Sequence, residues 1–215
     1  MDRRLQSYTG RRNDVLALVR GAPRRALDIG CSDGTLLAGL DGPVERTGIE
    51  LDPDLAGVAN KRLDEVIRGD AVEVTGELGR AGRRFDLVIC ADILEHLAHP
   101  EGVLENVATM LEPGGQMLVS LPNVRFWTTF WEVGIRGRWP RRSRGVHDAT
   151  HLRWFTDQDA REMFADSGFH VDEAKANTRL FDDPNRRGNG LARYLAHGPI
   201  RPFLTYQNLY RLVMA

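Results

Sequence analysis

The sequence predicts an α/β protein whose parallel sheet is covered by helices on both faces. Three observations carry that expectation. Short apolar runs suited to buried strands recur at 26–29 (ALDI), 47–50 (TGIE), 85–90 (FDLVIC) and 117–121 (MLVSL). Segments long enough for amphipathic helices separate them, and a glycine-bearing turn, IGCSDGT at 29–35, follows the first run directly. In such sheets, ligands bind beyond the carboxyl ends of the strands, so every loop of interest should follow a strand.

Taken in order, a short amphipathic helix around Asp14 to Arg20 leads into a first strand at Arg25 to Ile29, and a helix opens near Asp33. Strand two is Arg46 to Glu50, and Pro53, preorganised for a first turn, begins the next helix. Val66 and Ile67 make a short third strand and Phe85 to Cys90 a fourth. Between about Pro100 and Glu112, a stripe of Val103, Leu104, Val107, Met110 and Leu111 predicts a helix that Pro113-Gly114-Gly115 should stop. Met117 to Leu121 is strand five. Thr156 can cap a later helix with Met163 and Phe164 inward, and Gly168 ends it before a sixth strand near Phe169 to Asp172. In the C-terminal segment Leu191, Tyr194 and Leu195, then Tyr206, Leu209, Tyr210 and Val213, recur at helical spacing and predict helices that cover the domain; membrane association is the lesser alternative.

A chain of 215 residues with 42% hydrophobic content suits one domain with added segments. The formal net charge of -1 gives no overall pull toward nucleic acid or membrane. The apolar run Val15 to Val19 is too short for a signal-peptide core or a membrane span, which sets the expectation of a cytoplasmic protein without stable membrane insertion. Cys31 and Cys90 cannot make a disulfide framework and read as small core residues.

The first loop carries the chemistry. Gly30 and Gly34 permit a tight turn and close approach of the backbone to a ligand, and Glu50 stands 20 residues after Gly30, the usual distance to an acid that binds a ribose. Asp28 discriminates between cofactors. A carboxylate beside the loop repels a pyrophosphate but attracts a cation, and S-adenosylmethionine carries a sulfonium and an ammonium and no phosphate. Plainer readings stand beside this one: Asp28 held by helix amides, Glu50 a surface acid at a strand end, Asp70 opening a turn.

LDIGCSDG resembles the first motif of the class I S-adenosylmethionine-dependent methyltransferases, and GIELD, GDAVEV, FDLVICADILEHLAHP and LEPGGQMLVSLPN resemble the following motifs in their proper order. The likeness covers residues 25–122 and, more loosely, 146–175. It implies a Rossmann-like seven-stranded sheet of order 3-2-1-4-5-7-6 with strand seven antiparallel. It also implies that Asp28, Gly30 and Gly34, with Cys31 and Ser32, surround a methionine moiety. Glu50, with Leu51 beside it, would take the ribose hydroxyls, Asp70 and the Ala71 amide would read adenine, and Asp92 and Ile93 would border the reacting methyl. Ser32 stands where such loops frequently have glycine. Glu95 and His96 follow strand four; they read as a buried pair fixing a helix start, with His96 a secondary catalytic candidate.

Residues 123–154 change character, with seven arginines against two acids and all four tryptophans, Trp127, Trp131, Trp139 and Trp154. Following strand five, this insert can fold over the pocket as a lid and offer Trp127, Trp131, Trp139, Arg144 and Trp154 to a polar acceptor. Alternatively it is an apolar hairpin packed on the sheet or half of a homodimer contact. Arg141, Arg142 and Arg144 can attract an anionic acceptor or form a solvated charge run.

An alcohol acceptor must lose a proton, which requires a base or a metal ion. His147, Asp148 and His151 cluster, and a four-residue spacing would put both histidines on one helical face. They are the catalytic candidates, and Asp92, Asp148 and His151 are the candidate ligands for Mg2+. The stretch HLRWFT is similar to one found in methyltransferases of glycan and cell-envelope pathways, and the arginine-, alanine- and glycine-rich chain resembles those acting on mannooligosaccharides in methylmannose polysaccharide synthesis. That likeness implies a saccharide or glycoside hydroxyl as acceptor and O-methylation as the reaction. Methylation of RNA or protein, and a cofactor-sensing module without transfer, are the competing readings; the near-neutral charge counts against nucleic acid. The expected organisation is a methyltransferase domain over 1–184, its lid at about 123–154, and a helical tail over 185–215 packed on the same domain.

Overall fold

The computed structural model describes residues 12–183 and 186–215. Seven strands form one sheet: β1 (Arg25–Ile29), β2 (Glu45–Glu50), β3 (Glu65–Arg68), β4 (Phe85–Ala91), β5 (Leu111–Pro122), β6 (Phe169–Thr178) and β7 (Thr205–Met214). Their order is β3-β2-β1-β4-β5-β7-β6. The first five are parallel, and β7 runs antiparallel to both neighbours, β5 and β6. This is the order that the resemblance implies. The main helices are α1 (Asn13–Leu16), α2 (Thr35–Ala38), α3 (Pro53–Ala59), α4 (Ala71–Arg80), α5 (Pro100–Met110), α6 (Trp127–Thr129) and α7 (Asp157–Asp166).

Both faces of the sheet are buried, so each strand contributes alternate residues to two separate cores. Leu27, Val88, Cys90 and Val119 face one core with Val74, Val107 and Phe164 of α4, α5 and α7. Ala26, Leu87, Ile89 and Leu118 face the other, with Val15 of α1 and Leu36 and Leu37 of α2. Local signals set the helix starts: Asp52 and Asp70 each accept two backbone N–H bonds as caps of α3 and α4. Thr156 caps α7 in a reciprocal box with Asp159.

Two expectations change. Pro113-Gly114-Gly115 does not separate helix from strand, because β5 begins at Leu111 directly after α5; Phe85 pairs with Leu111 and Leu87 with Gln116, so the glycines sit in a bulge. The second correction concerns the C-terminus. Tyr206, Leu209, Tyr210 and Val213 are not helical: they belong to β7 in the interior of the sheet. Buried along most of its length, β7 (TYQNLYRLVM) lacks the two-residue alternation of a half-buried strand, and its apolar residues also satisfy helical spacing. Leu191, Tyr194 and Leu195 lie in short helical turns but stay exposed, so they do not cover the domain. The boundary drawn between 184 and 185 falls outside the described residues, and because β7 completes the sheet, 185–215 is not a helical tail. No described helix is long and apolar enough to cross a membrane.

Candidate active site

Two cavities open beyond the carboxyl ends of the strands, and they share the side chains of Arg12, Asp92 and His96. The smaller, about 490 Å³, is lined by the loops after β1, β2, β3 and β4. It gathers Asp28, Gly30, Cys31, Ser32, Glu50, Leu51, Asp70, Ala71, Asp92 and Ile93. Gly34 is the one residue expected there that stays out of the lining: it caps α2 and packs on Ala59 and Leu63.

The loop backbone is built for close approach. At Gly30, φ is 76°, and a Cβ would stand 2.9 Å from the Ile93 side chain, so only glycine fits between them. Ser32, where glycine is frequent, adopts φ 51° and thus keeps the loop geometry a glycine would give. Its N–H donates to Glu50 Oε2 at 2.8 Å, and Asp52 N–H donates to Glu50 Oε1 at 2.8 Å. Asp70 caps α4 and lines the cavity at once.

Asp28 is different. It is 2% exposed, and its Oδ2 has no hydrogen-bond partner, so helix amides do not satisfy it. Burial first, then the charge of Glu50, pushes its carboxyl up to about 7. An orphaned buried carboxylate oxygen beside a bare serine hydroxyl fits a ligand that brings a cation and donors, as a sulfonium and ammonium cofactor does. Burial pushes the thiols of Cys31 and Cys90 up, in keeping with their reading as small core residues.

Asp92 sits at the junction in the left-handed region, φ 56°. Ser120 Oγ donates to its Oδ1 at 2.8 Å, Gln207 donates to the same oxygen, and Arg12 pairs with Oδ2. Arg12 also donates to Asp14 at 3.0 Å and to Gln207 Oε1 at 3.0 Å. Burial opposes the charge on Arg12, but Asp92 and Asp14 hold it protonated.

The larger cavity, about 990 Å³, is lined mainly by charged and polar side chains, among them Glu95, Arg142, Arg144, His147, Asp148, His151, Arg179 and Tyr206. The predicted catalytic trio is therefore brought together, but not on a helix. Residues 145–150 form tight turns, closed by Asp148 N–H to Gly145 O at 2.9 Å, and that curvature rather than helical spacing turns both histidines inward. His147 Nε2 bonds Thr129 Oγ1 at 2.9 Å. Burial, then the charge of Arg142, draws the His147 imidazole down to about 4. His151 Nδ1 lies 3.3 Å from Val146 O, which fixes that nitrogen as the N–H and directs Nε2 toward Glu95 Oε1 at 3.9 Å. Burial and the charge of His96 lower the His151 pKa. Burial opposes ionisation of Asp148, but two bonds from Thr150 keep its carboxyl below the ordinary range.

The expected metal ligands are corrected. Asp92 is taken by Arg12, Ser120 and Gln207, and Asp148 by Thr150. Among the described residues, the group that can converge on an ion is Glu95, His96 and His151, whose ligand atoms lie within 4.8 Å of one another. Glu95 is 1% exposed, neither of its side-chain oxygens has a partner, and burial, then Asp92, raises its pKa well above the ordinary value. The adjacency of Glu95 and His96 after strand four was the sequence signal for this group.

The tryptophans are corrected too: none of the four lines either cavity. Trp127 Nε1 donates to Leu180 O at 3.0 Å, and Trp139 packs edge-on against both Trp154 and His147. Those three brace the insert, whose neck is closed by a bridge between Asn123 and Phe155, while Trp131 is exposed and Arg144 reaches the cavity as expected. Arg12, Arg179, Tyr206 and Gln207 line the larger cavity without having been foreseen.

Comparison with known proteins gives a consistent result. Residues 1–174 match a family described as a methyltransferase domain. A ubiquinone biosynthesis O-methyltransferase of Burkholderia ambifaria is 30% identical over 165 residues, 73% of this chain and 69% of the relative. The enzyme of the same name from Burkholderia vietnamiensis is also 30% identical, over 164 residues with the same coverage. Among solved structures, an S-adenosylmethionine-dependent methyltransferase from Archaeoglobus fulgidus superposes with a TM-score of 0.64 at 17% identity, covering 94% of this chain and 90% of that one. A magnesium protoporphyrin IX methyltransferase from Synechocystis with bound S-adenosylhomocysteine gives 0.63 at 16% identity, covering 98% and 83%. These two likenesses concern the fold.

Proposed function

Because the chain belongs to the S-adenosylmethionine-dependent methyltransferases, we propose that it methylates a hydroxyl of a polar small molecule, a saccharide or glycoside, held in the larger cavity. The observation that carries this reading is the meeting of a cofactor-sized cavity with a larger polar one at Asp92, His96 and Arg12. Mannooligosaccharides are acceptors of this class. The names of the Burkholderia relatives favour a second acceptor, an aromatic hydroxyl; the charged lining of the cavity favours the sugar.

S-adenosylmethionine supplies an electrophilic methyl group on its sulfonium. Asp28 holds the cationic end of the cofactor, Glu50 the ribose, and Asp70 with the Ala71 amide the adenine, while Asp92 and Ile93 border the transfer point. His151 Nε2, its other nitrogen fixed on Val146 O, accepts the proton of the acceptor hydroxyl, with the Glu95 carboxyl 3.9 Å away. His147, drawn to about 4 and bound to Thr129, positions the loop and is a poor base at neutral pH.

A second use of the same side chains is favoured by the unpartnered oxygens of Glu95: Glu95, His96 and His151 would hold a divalent cation, which supplies Lewis acidity toward the hydroxyl. Two imidazoles and one carboxylate suit manganese or zinc better than Mg2+.

The test is incubation with labelled S-adenosylmethionine and a panel of oligosaccharides and catechols, before and after chelation. The expected result is a gain of one methyl on a saccharide. Transfer only to catechols overturns the acceptor class, and transfer to nothing favours a sensing module. Inactivation by chelation with recovery on adding manganese assigns the trio to a cation; full activity after chelation leaves His151 as the base.

A further inference from the structure

We propose that Arg144, Arg179 and Tyr206 form a subsite for an anionic group on the acceptor, a phosphate or a carboxylate. The inference rests on the assignment of the larger cavity to the acceptor and narrows its chemistry. Four arginines line that cavity, Arg12, Arg142, Arg144 and Arg179. Two are already neutralised: Arg12 by Asp14 and Asp92, Arg142 by Asp182 and Glu132. Arg144 and Arg179 have no carboxylate partner among the described residues, although both belong to a wall that also carries acids. Those acids are engaged elsewhere: Asp14 and Asp92 by Arg12, Asp182 by Arg142 and Thr128, and Asp148 by Thr150, while Asp183, also on that wall, is not free either. Glu95 is biased toward its neutral form by burial.

Tyr206 touches Arg179 and the residue next to Arg144. The Arg179 guanidinium lies 4.3 Å from the centre of its ring, stacked on the face. On the other side, the Tyr206 hydroxyl rests against Gly145, the residue after Arg144; a Cβ there would stand 2.6 Å from the hydroxyl oxygen. Gly145, at φ 85°, therefore allows β7 to press its tyrosine onto the loop that carries Arg144. Burial raises the pKa of the Tyr206 hydroxyl, so it remains a proton donor. Two planar cations and one hydroxyl donor, lining one cavity, make a binding set for the oxygens of a phosphate or a carboxylate. Arg179 comes from the end of β6, Arg144 from the insert and Tyr206 from β7, so the cluster exists only in the folded protein.

The test uses the whole chain saturated with S-adenosylhomocysteine and isothermal titration with glucose, glucose 6-phosphate and glucuronate, and in parallel with phenol and phenyl phosphate. The expected result is that an anionic member of a pair binds about ten-fold or more tightly than its neutral counterpart, about 1.4 kcal/mol. Arg144→Gln with Arg179→Gln should abolish that difference while the affinity for S-adenosylhomocysteine and the melting temperature stay unchanged. The phosphate and carboxylate arms tell the two anions apart. An anionic preference seen only with the phenyl pair keeps the subsite and defeats the saccharide reading. Equal binding of neutral and anionic members, a preference that survives in the double variant, or no saturable binding by any probe at about 10 mM overturns the proposal.

Discussion

Asp28 concentrates the conflict between function and stability in one side chain. Folding removes the carboxylate from water without giving Oδ2 a partner, and raises its pKa from the ordinary 3.8 to about 7. Between those values the folded protein binds more protons at this site than the unfolded chain does, so stability falls as pH rises through the window and the loss is complete above about 7. Asp28→Asn should therefore melt several degrees higher than the parent at pH 8 without cofactor, and calorimetry would detect it. The same substitution should abolish calorimetric binding of S-adenosylmethionine, and in the parent its affinity should climb as pH passes about 7, when the anion forms. Glu50→Ala should lose binding as well, since Glu50 also pins Ser32 and Asp52; unchanged affinity in both variants would remove the cofactor assignment. Such residues were legible because each sits at the carboxyl end of a strand, beside the loop that follows it. Arg12, Arg179 and Gln207 were not: they come from the residue before α1, the residue after β6 and from β7, which only the folded chain brings to one cavity.

Among the elements, helix starts and strand ends were readable where a local device fixes them. The box between Thr156 and Asp159 is an example, and Thr156→Ala should cost about 1 kcal/mol, a fall in melting temperature of roughly 2–4 °C, with cofactor affinity untouched because α7 lies away from both cavities. The loop with His147 and His151 failed as a helix because Gly145 turns the chain, and β7 failed as a strand because burial on both faces erases the two-residue alternation. Tyr210 shows what that interior position requires. It is fully buried, stacks edge-on against Phe164, and donates to Asp157 Oδ1 at 2.9 Å, which ties β7 to the first turn of α7.

For the whole molecule, β7 is the piece on which the rest depends. It pairs with β5 along 117–122 and with β6 along its length, while β6 pairs with no other strand. Removing 205–215 should therefore abolish cooperative thermal unfolding rather than trim an accessory; a sharp transition in the shortened chain would contradict this. The parallel half of the sheet was legible as repeated strand and helix, and the antiparallel half only through resemblance, because nothing local in 169–178 or 205–214 specifies a partner. The order of the strands also bears on biogenesis. As the ribosome releases the chain, β6 emerges first and has no neighbour to dock on, and it must wait through the following segment until β7 arrives. The wall of the larger cavity that β6 and β7 build together thus closes only after every residue of the cofactor loops has been synthesised, and the last strand made is the one that completes it.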